Sequence, residues 1–98
     1  MIKPVAARDV RRAVVEKGFL AAADNLSRDH EMFFFYLDGK KTNAYVKLSH
    51  GAAEMRRDEI RNNARWLGIT GDHLYRIVCC EFDAEQTRKV IEAGLASE

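Results

Sequence analysis

Residues 28–50 read RDHEMFFFYLDGKKTNAYVKLSH, and this stretch decides the fold. Two runs rich in aromatic and β-branched residues flank residues 38–41, and an Asp-Gly pair between such runs is a strong signal for a β-hairpin. A two-residue turn at Gly39-Lys40 and a four-residue loop over residues 38–41 give the same register. That register predicts three cross-strand pairs: Leu37 with Thr42, Tyr36 with Asn43, and His30 with Ser49.

This register sorts the side chains of the hairpin onto two faces, because successive strand residues point to opposite sides. One face is apolar and is predicted to lie on the core; it comprises Phe33, Phe35, Leu37, Ala44, Val46 and Leu48. The other, here called the open face, comprises His30, Met32, Phe34, Tyr36, Asn43, Tyr45, Lys47 and Ser49. A solvent-facing sheet surface is usually more polar than this. The open face therefore predicts a surface on which a ligand or partner docks.

The length and charge of the chain limit the classes of protein to which it can belong. Its 98 residues suffice for one domain, residues 1–98, with a single modest core. Sixteen basic against fifteen acidic residues leave a net charge of +1, so any affinity for RNA or DNA must come from local patches. The sequence has no signal peptide, lipidation motif or apolar run long enough to span a bilayer, which predicts a cytoplasmic protein.

The cysteines and histidines argue against a metal centre. Cys79 and Cys80 are adjacent, and neighbouring cysteines rarely form a structural disulfide or, without further thiolates, a zinc site. We expect both to be small buried side chains on a helix. The three histidines are dispersed without metal-ligand spacing, so the sequence predicts neither a metal nor another cofactor.

Hydrophobic periodicity and capping residues predict the elements on either side of the hairpin. A first strand is expected at Phe19–Ala23, followed by a turn at Asp24-Asn25. The expected helices are Val5–Lys17, ending at Gly18; Ala53–Leu67; Asp72–Cys80; and Ala84–Ala93, ending at Gly94. Asp83 and Gln86 have the spacing of a capping box. The order α-β-β-β-α-α-α predicts an α+β fold, in which helices cover one face of a three-stranded antiparallel sheet.

Four segments, taken in order, carry a resemblance to a known family. They are Lys17-Gly18-Phe19 at a helix end, Asp29-His30 before an aromatic strand, residues 46–50 (VKLSH) at the end of the next strand, and residues 59–70 (EIRNNARWLGIT) on a helix. In this order and spacing, residues 8–70 resemble HicA-type toxins, small ribonucleases (mRNA interferases) of bacterial and archaeal toxin–antitoxin pairs. The chain departs from the family pattern at Arg28-Asp29, where the family has Gly-Ser, at Leu48, where it has proline, and in its extra C-terminal helices.

The resemblance implies a fold, an activity and a partner. The fold is α-β-β-β-α, like that of double-stranded-RNA-binding domains, over residues 8–70, with residues 71–98 as a C-terminal helical extension. The activity is metal-independent endonucleolytic cleavage of mRNA or other single-stranded RNA, with His30 as the catalytic residue. The partner is a HicB-like antitoxin protein that covers the face carrying His30.

His30 also suits this chemistry on physical grounds. RNA cleavage without a metal needs a base for the 2′-hydroxyl proton and an acid for the leaving 5′-oxygen, and histidine, with an ordinary pKa of about 6.5, can serve as either. The alternative is a half-exposed strand histidine without a chemical role. We expect His50 to be a strand-end histidine bonded to backbone near Gly51, and His73 to be a surface residue.

Basic and aromatic residues complete the predicted binding surface. Arg57, Arg61 and Arg65 form a line at i, i+4 and i+8 on one helix. Candidates for contacts to RNA on the open face are Met32, Phe34, Tyr36, Asn43, Tyr45 and Lys47. Further basic residues that could contact phosphates are Lys40 and Lys41 on the hairpin and Arg8, Arg11 and Arg12 on the first helix. The alternatives are a solvated arginine face balanced by Asp58 and Glu59, and an open face buried by a protein partner or by a second copy in a homodimer. Two functions stay open: a HicA-like endoribonuclease, and a non-catalytic RNA- or protein-binding module of the same fold.

Overall fold

Residues 2–22, 30–49, 51 and 53–96 are described by the structure, a computed structural model of the chain. Their elements, in chain order, are β1 (Val5–Ala6), α1 (Ala7–Glu16), β2 (Phe19–Ala21), β3 (His30–Leu37), β4 (Lys40–Ser49), β5 (Glu54–Met55), α2 (Arg57–Leu67), α3 (Gly71–Val78) and α4 (Ala84–Ala96). The strands β2, β3 and β4 form a three-stranded antiparallel sheet in that order, and β1 pairs with β5. This arrangement confirms the α+β class predicted from the sequence.

The turn of the hairpin differs from the predicted one. Leu37 pairs with Lys40, so Asp38 and Gly39 alone form the turn, with φ angles of 51° and 81°. Two consecutive residues with positive φ are typical of a type I′ turn, whose twist matches that of the flanking strands. The predicted pairing of Leu37 with Thr42 is therefore wrong.

A bulge in β4 accounts for the difference. Tyr36 pairs with Lys41, and the predicted Tyr36–Asn43 pair is wrong, because β4 carries extra residues opposite Phe35. The hydroxyl of Thr42 donates a hydrogen bond to the carbonyl of Phe35 at 2.7 Å and accepts one from the backbone N–H two residues on at 3.2 Å. This side chain thus replaces ladder bonds that the bulge interrupts.

The faces of the hairpin are nevertheless as predicted. Up to Phe34 the register agrees with the prediction, and the His30–Ser49 pair is confirmed. Beyond it the register shifts by two residues, the period of side-chain alternation, so no side chain changes face. The predicted core face is buried at Phe33, Phe35, Ala44, Val46 and Leu48, with Leu37 partly buried against it.

The helices bring their apolar stripes onto that core face. Their buried side chains are Ala7, Val10, Ala13 and Val14 of α1, Ile60, Ala64 and Leu67 of α2, Leu74, Ile77 and Val78 of α3, and Ile91 of α4. The rings of Phe19 in β2 and Phe35 in β3 meet beneath them, with centroids 5.2 Å apart. The open face of the sheet lies on the opposite side, where its residues are half-buried or exposed.

Both α1 and α2 begin later than predicted, because a short strand precedes each of them. Val5 pairs with Met55 between β1 and β5, and both side chains are buried. The backbone N–H of Ala7 donates to the carbonyl of Ala53 at 2.9 Å. The backbone groups of these residues therefore form hydrogen bonds between the two segments rather than within a helix. The predicted helix starts at Val5 and Ala53 are wrong. The small sheet ties the start of α1 to the start of α2.

The helix α4 begins at the predicted capping box and passes through its predicted end. Asp83 and Gln86 exchange hydrogen bonds between side chain and backbone N–H at 2.8 and 3.0 Å. Gly94 lies inside α4, so the predicted helix end is wrong. A Cβ at Gly94 would lie 2.5 Å from the carbonyl oxygen of Leu67, so the missing side chain permits close packing of α4 on the end of α2.

The cysteines lie in the turn that ends α3, and the prediction that they are buried on a helix is wrong. Cys79 and Cys80 are both exposed and both free. Cys80 has a φ of 62°, and the backbone N–H groups of Cys80 and Glu81 donate to the carbonyls of Ile77 and Arg76. These two bonds define a Schellman motif, with cysteine at the position that glycine usually occupies. Because the helix stops before Cys79, neither thiol belongs to its buried stripe.

Asn63 joins α2 to the edge of β4. Its side chain is buried, with 2% of the residue exposed. Its oxygen accepts from the backbone N–H of Lys47 at 2.7 Å, and its amide donates to the carbonyls of Lys47 and Glu59 at 3.1 and 2.8 Å. The one side chain therefore satisfies backbone groups that point away from β3 at the edge of the sheet.

We expect Asn63→Ala to lower the free energy of unfolding by about 2–4 kcal/mol, because it leaves the N–H and carbonyl of Lys47 without their partner. Urea denaturation followed by circular dichroism measures the change. The matched control is Asn62→Ala, at an exposed neighbouring position, for which we expect less than about 0.5 kcal/mol. Equal losses in the two variants would contradict the assigned role of Asn63.

Candidate functional site

A small cavity opens where the edge of the sheet meets α2. It has a volume of about 120 Å³ and is lined by His30, Lys47, Ser49, Glu59, Asn62, Asn63 and Trp66. We call this cavity the His30 cleft. Antiparallel pairing sets His30 opposite Ser49 and Met32 opposite Lys47. The start of β3 thus supplies an imidazole, and the end of β4 supplies a hydroxyl and an ammonium group to the same small space.

Glu59 forms the acidic side of the cleft. Its Oε2 accepts a hydrogen bond from the hydroxyl of Ser49 at 3.4 Å, and its Oε1 accepts from the backbone N–H of Arg56 at 3.1 Å and from the Arg56 guanidinium at 3.3 Å. The bond from the N–H of Arg56 caps the N-terminus of α2, so the fold itself fixes the carboxylate. With Lys47 as the cation, the cleft combines an imidazole, a hydroxyl, one negative and one positive group.

A row of aromatic rings leads from the open face to the cleft. The rings of Phe34 and Tyr45 are 5.7 Å apart between centroids, and Tyr45 stacks on Trp66 at 5.9 Å with 20° between the ring planes. We call these three residues the aromatic row. Lys41 Nζ lies 4.0 Å from the ring centroid of Phe34, and Lys47 Nζ lies 5.8 Å from that of Trp66. Flat rings flanked by cations are the groups that bind unpaired nucleobases and their phosphates.

Several of the site residues predicted from the sequence gather here. His30 and Lys47 line the cleft, while Phe34 and Tyr45 belong to the aromatic row. The remaining predicted open-face residues are Met32 and Tyr36, which are half-buried, and Asn43, which is exposed in the bulge. The hairpin thus brings the predicted histidine, one predicted lysine and two predicted aromatics into one region.

The predicted arginine line lies on a different side of α2. Arg57 borders a separate cavity beside residues 2–4. A Cβ at Gly71 would lie 3.3 Å from Cγ of Arg61, which places Arg61 against the start of α3. Arg65 follows one turn later on the same side of the helix. The structure therefore does not bring these three arginines to the His30 cleft.

The basic residues of α1 are engaged by acidic neighbours. The guanidinium of Arg11 donates two-pronged hydrogen bonds to Glu31, the shortest at 2.6 Å. That bond raises the pKa of Arg11 above its ordinary value. Arg8 and Arg12 lie 3.4 and 3.2 Å from the carboxylate of Asp9. Lys41 and Lys47 remain as the cations that contact the aromatic row.

Sequence reasoning missed the part of the site that α2 supplies. Trp66, Asn62 and Glu59 line the cleft but were assigned no role there. Trp66 is the only tryptophan of the chain, and it lies outside the apolar stripe of its helix with 42% of its surface exposed. A large aromatic side chain at an otherwise polar helix position is the signal that could have found it.

Of the other two histidines, the structure describes His73. His50, like Asp29 and the predicted turn at Asp24-Asn25, lies outside the described residues. His73 is half-exposed in the first turn of α3, with its ring 5.8 Å from that of Phe82. Within residues 2–22, 30–49, 51 and 53–96, no group of three or more His, Cys, Asp or Glu side chains could hold a metal ion. No helix in this described part has the length and apolar character needed to cross a membrane.

Comparisons with known proteins do not assign the chain to a family. No protein-family model, no curated protein and no solved structure matches the chain. The resemblance to HicA-type toxins therefore stays a prediction from the sequence.

Proposed function

We propose that the protein is a metal-independent endoribonuclease that acts on mRNA or other single-stranded RNA, as a divergent relative of HicA-type toxins. The observation that carries this proposal is the position of His30, in a cleft with Lys47 and beside a row of aromatic rings. The element order α1-β2-β3-β4-α2 is consistent with the double-stranded-RNA-binding-like fold that the resemblance implies.

In the proposed reaction, the 2′-hydroxyl of a nucleotide attacks its own 3′-phosphate. The reaction requires two proton transfers, removal of the 2′-hydroxyl proton and protonation of the leaving 5′-oxygen; His30 carries out one of them and solvent water the other. The ammonium of Lys47 neutralises charge that the phosphate gains as the new bond forms. The bond from phosphorus to the 5′-oxygen breaks, which leaves a 2′,3′-cyclic phosphate on one product and a 5′-hydroxyl on the other.

The aromatic row favours an unpaired strand as the substrate. Bases in a duplex are stacked on one another, whereas bases in a single strand are free to stack on protein rings. Trp66 is the exposed end of the row and lines the cleft as well, so a base on Trp66 lies next to His30 and Lys47. Stacking on aromatic rings is tolerant of sequence, so the row itself does not select particular bases.

The same surface suits the proposed antitoxin. Half-exposed aromatic side chains are enriched at protein interfaces. A HicB-like antitoxin bound over the aromatic row blocks access of RNA to His30, which is the inhibition that the resemblance implies. A second copy of the chain on this face, as a homodimer, has the same consequence.

A second candidate function is a non-catalytic module that binds RNA or protein through the open face. The observation that favours it is Glu59, whose carboxylate lies in the cleft where a scissile phosphate is proposed to bind. A negative group at that place repels phosphate. The net charge of +1 also gives little general attraction for RNA.

We expect His30→Ala to reduce cleavage of single-stranded RNA by on the order of 10²–10⁴, the usual contribution of one acid–base group. The measurement is electrophoresis of labelled RNA after incubation with purified protein, free of any partner, with EDTA present throughout. His73→Ala is the matched control, since it removes a histidine outside the cleft, and we expect full activity from it. Activity retained in His30→Ala would rule out the mechanism, while an inactive wild type would favour the binding module.

We expect RNA affinity to fall steeply with salt, and Lys47→Gln to reduce the slope of log K against log salt by about 1. Arg61→Gln, which removes a charge from the far side of α2, is expected to leave both affinity and slope close to wild type. Quenching of Trp66 fluorescence reports the binding, because this ring is both the only tryptophan and part of the cleft. A larger loss of RNA affinity in Arg61→Gln than in Lys47→Gln would show that the RNA-binding surface lies away from the cleft.

A further inference from the structure

A lysine and a cysteine that are far apart in the sequence, and that do not line the His30 cleft, are in direct contact. Lys17 follows α1 and Cys80 follows α3, 63 positions apart, and Nζ of Lys17 lies 3.3 Å from Sγ of Cys80. Lys17 is only 6% exposed, so the surrounding fold holds its amine in place. Cys80 is an exposed residue in the surface turn that ends α3. A fixed cationic group behind an accessible thiol is the setting in which cysteines become reactive.

The backbone on both sides of this contact is also fixed. Cys80 occupies the left-handed position of the Schellman motif, with a φ of 62°. Lys17 caps α1, with its backbone N–H bonded to the carbonyl of Val14 at 3.2 Å. Two reacting atoms that are held close together react as if at high local concentration. The pair is therefore arranged for a reaction between its own two members.

The neighbouring cysteine has a different environment. The pKa of the Cys79 thiol lies above its ordinary value, chiefly because of desolvation, and Tyr75 hydrogen-bonds to this thiol. A raised pKa leaves less of the reactive thiolate at neutral pH. Cys79 thus serves as an internal comparison for Cys80, one position along the chain.

We propose that Lys17 and Cys80 form a redox-responsive pair that closes a covalent sulfur–nitrogen bond when a hydroperoxide oxidises the thiol. In the first step, the thiolate of Cys80 attacks hydrogen peroxide; the O–O bond breaks and gives a sulfenic acid and hydroxide. The ammonium of Lys17 donates a proton to the hydroxide, which leaves as water, and the lysine becomes an uncharged amine. In the second, the uncharged amine of Lys17 attacks the sulfur of the sulfenic acid, the S–O bond breaks, and water leaves. The sulfur is oxidised by two electrons and the peroxide is reduced to water, which leaves a sulfenamide that thiols reduce again.

The bond has a structural consequence that is independent of RNA cleavage. It closes a loop between positions 63 residues apart and joins the end of α1 to the end of α3. A cross-link of this length restricts the unfolded chain strongly and so stabilises the folded state. Oxidation is thereby expected to raise the melting temperature, whereas oxidation of an isolated thiol does not.

The test treats the purified protein with hydrogen peroxide at neutral pH and follows intact mass, tryptic peptides and melting temperature. We expect the mass of the protein to fall by two hydrogen atoms, a peptide in which Lys17 is joined to Cys80, and a melting temperature raised by at least about 5 °C. Dithiothreitol is expected to reverse all three changes. Cys79→Ser should behave as wild type, while Cys80→Ser and Lys17→Met should lose both the cross-link and the rise in melting temperature.

Three results would overturn the proposal. The first is a mass loss that persists in Lys17→Met and disappears in Cys79→Ser, which indicates a disulfide between the adjacent cysteines. The second is oxidation of Cys80 to a sulfinic acid without any cross-linked peptide. The third is equal oxidation of Cys79 and Cys80. Because Cys80→Ser leaves the buried lysine in place, it remains informative even if Lys17→Met fails to fold. RNA cleavage is not a readout of this experiment, so the nuclease proposal and the redox proposal stand or fall separately.

Discussion

An edge strand carries backbone N–H and C=O groups that no neighbouring strand pairs, and in β4 the side chain of Asn63 bonds to two of them, both on Lys47. This contact sets the distance and rotation of α2 beside the sheet. Glu59 lies one turn before Asn63 and Trp66 lies almost one turn after it, so the same contact holds the carboxylate beside Ser49 and the indole on Tyr45. The His30 cleft exists because one buried amide makes a helix the neighbour of an edge strand.

The alternation of residue types along the hairpin was sufficient to predict which side chains face the core and which form the open face. This part of the prediction was robust, because the register shift in the structure equals two residues and preserves the face of every side chain. The turn at Asp38-Gly39 could have been placed from the sequence, because Asp-Gly is a preferred pair for a type I′ turn. The bulge could not, since it depends on the hydrogen bonds of Thr42. The sequence could have marked Trp66 as a candidate, but it could not place Trp66 or Glu59 in the cleft, because both reach it only through tertiary packing of α2.

Other differences have local physical causes. The strands β1 and β5 are each two residues long, too short for any periodicity, and they form through contact between Val5 and Met55, which are 50 positions apart in the sequence. The exposure of Cys80 follows from a Schellman turn in which a cysteine adopts positive φ, where sequence rules expect glycine. The result is that a thiol expected in the core instead reaches solvent next to a lysine that is buried.

The C-terminal helices, which depart most from the HicA-type pattern, lie on the core side of the sheet. Ile91 of α4 belongs to the same core as Phe33 and Val46, and Gly94 packs on the end of α2. At the hairpin turn, Arg88 of α4 donates to Asp38 at 3.1 Å, and its pKa is raised, mainly by its bond to Glu92 and also by Asp38. These contacts thicken the layer behind the sheet. His30, Phe34 and Tyr45 lie on the other side of the sheet, so the extension adds core without covering the open face.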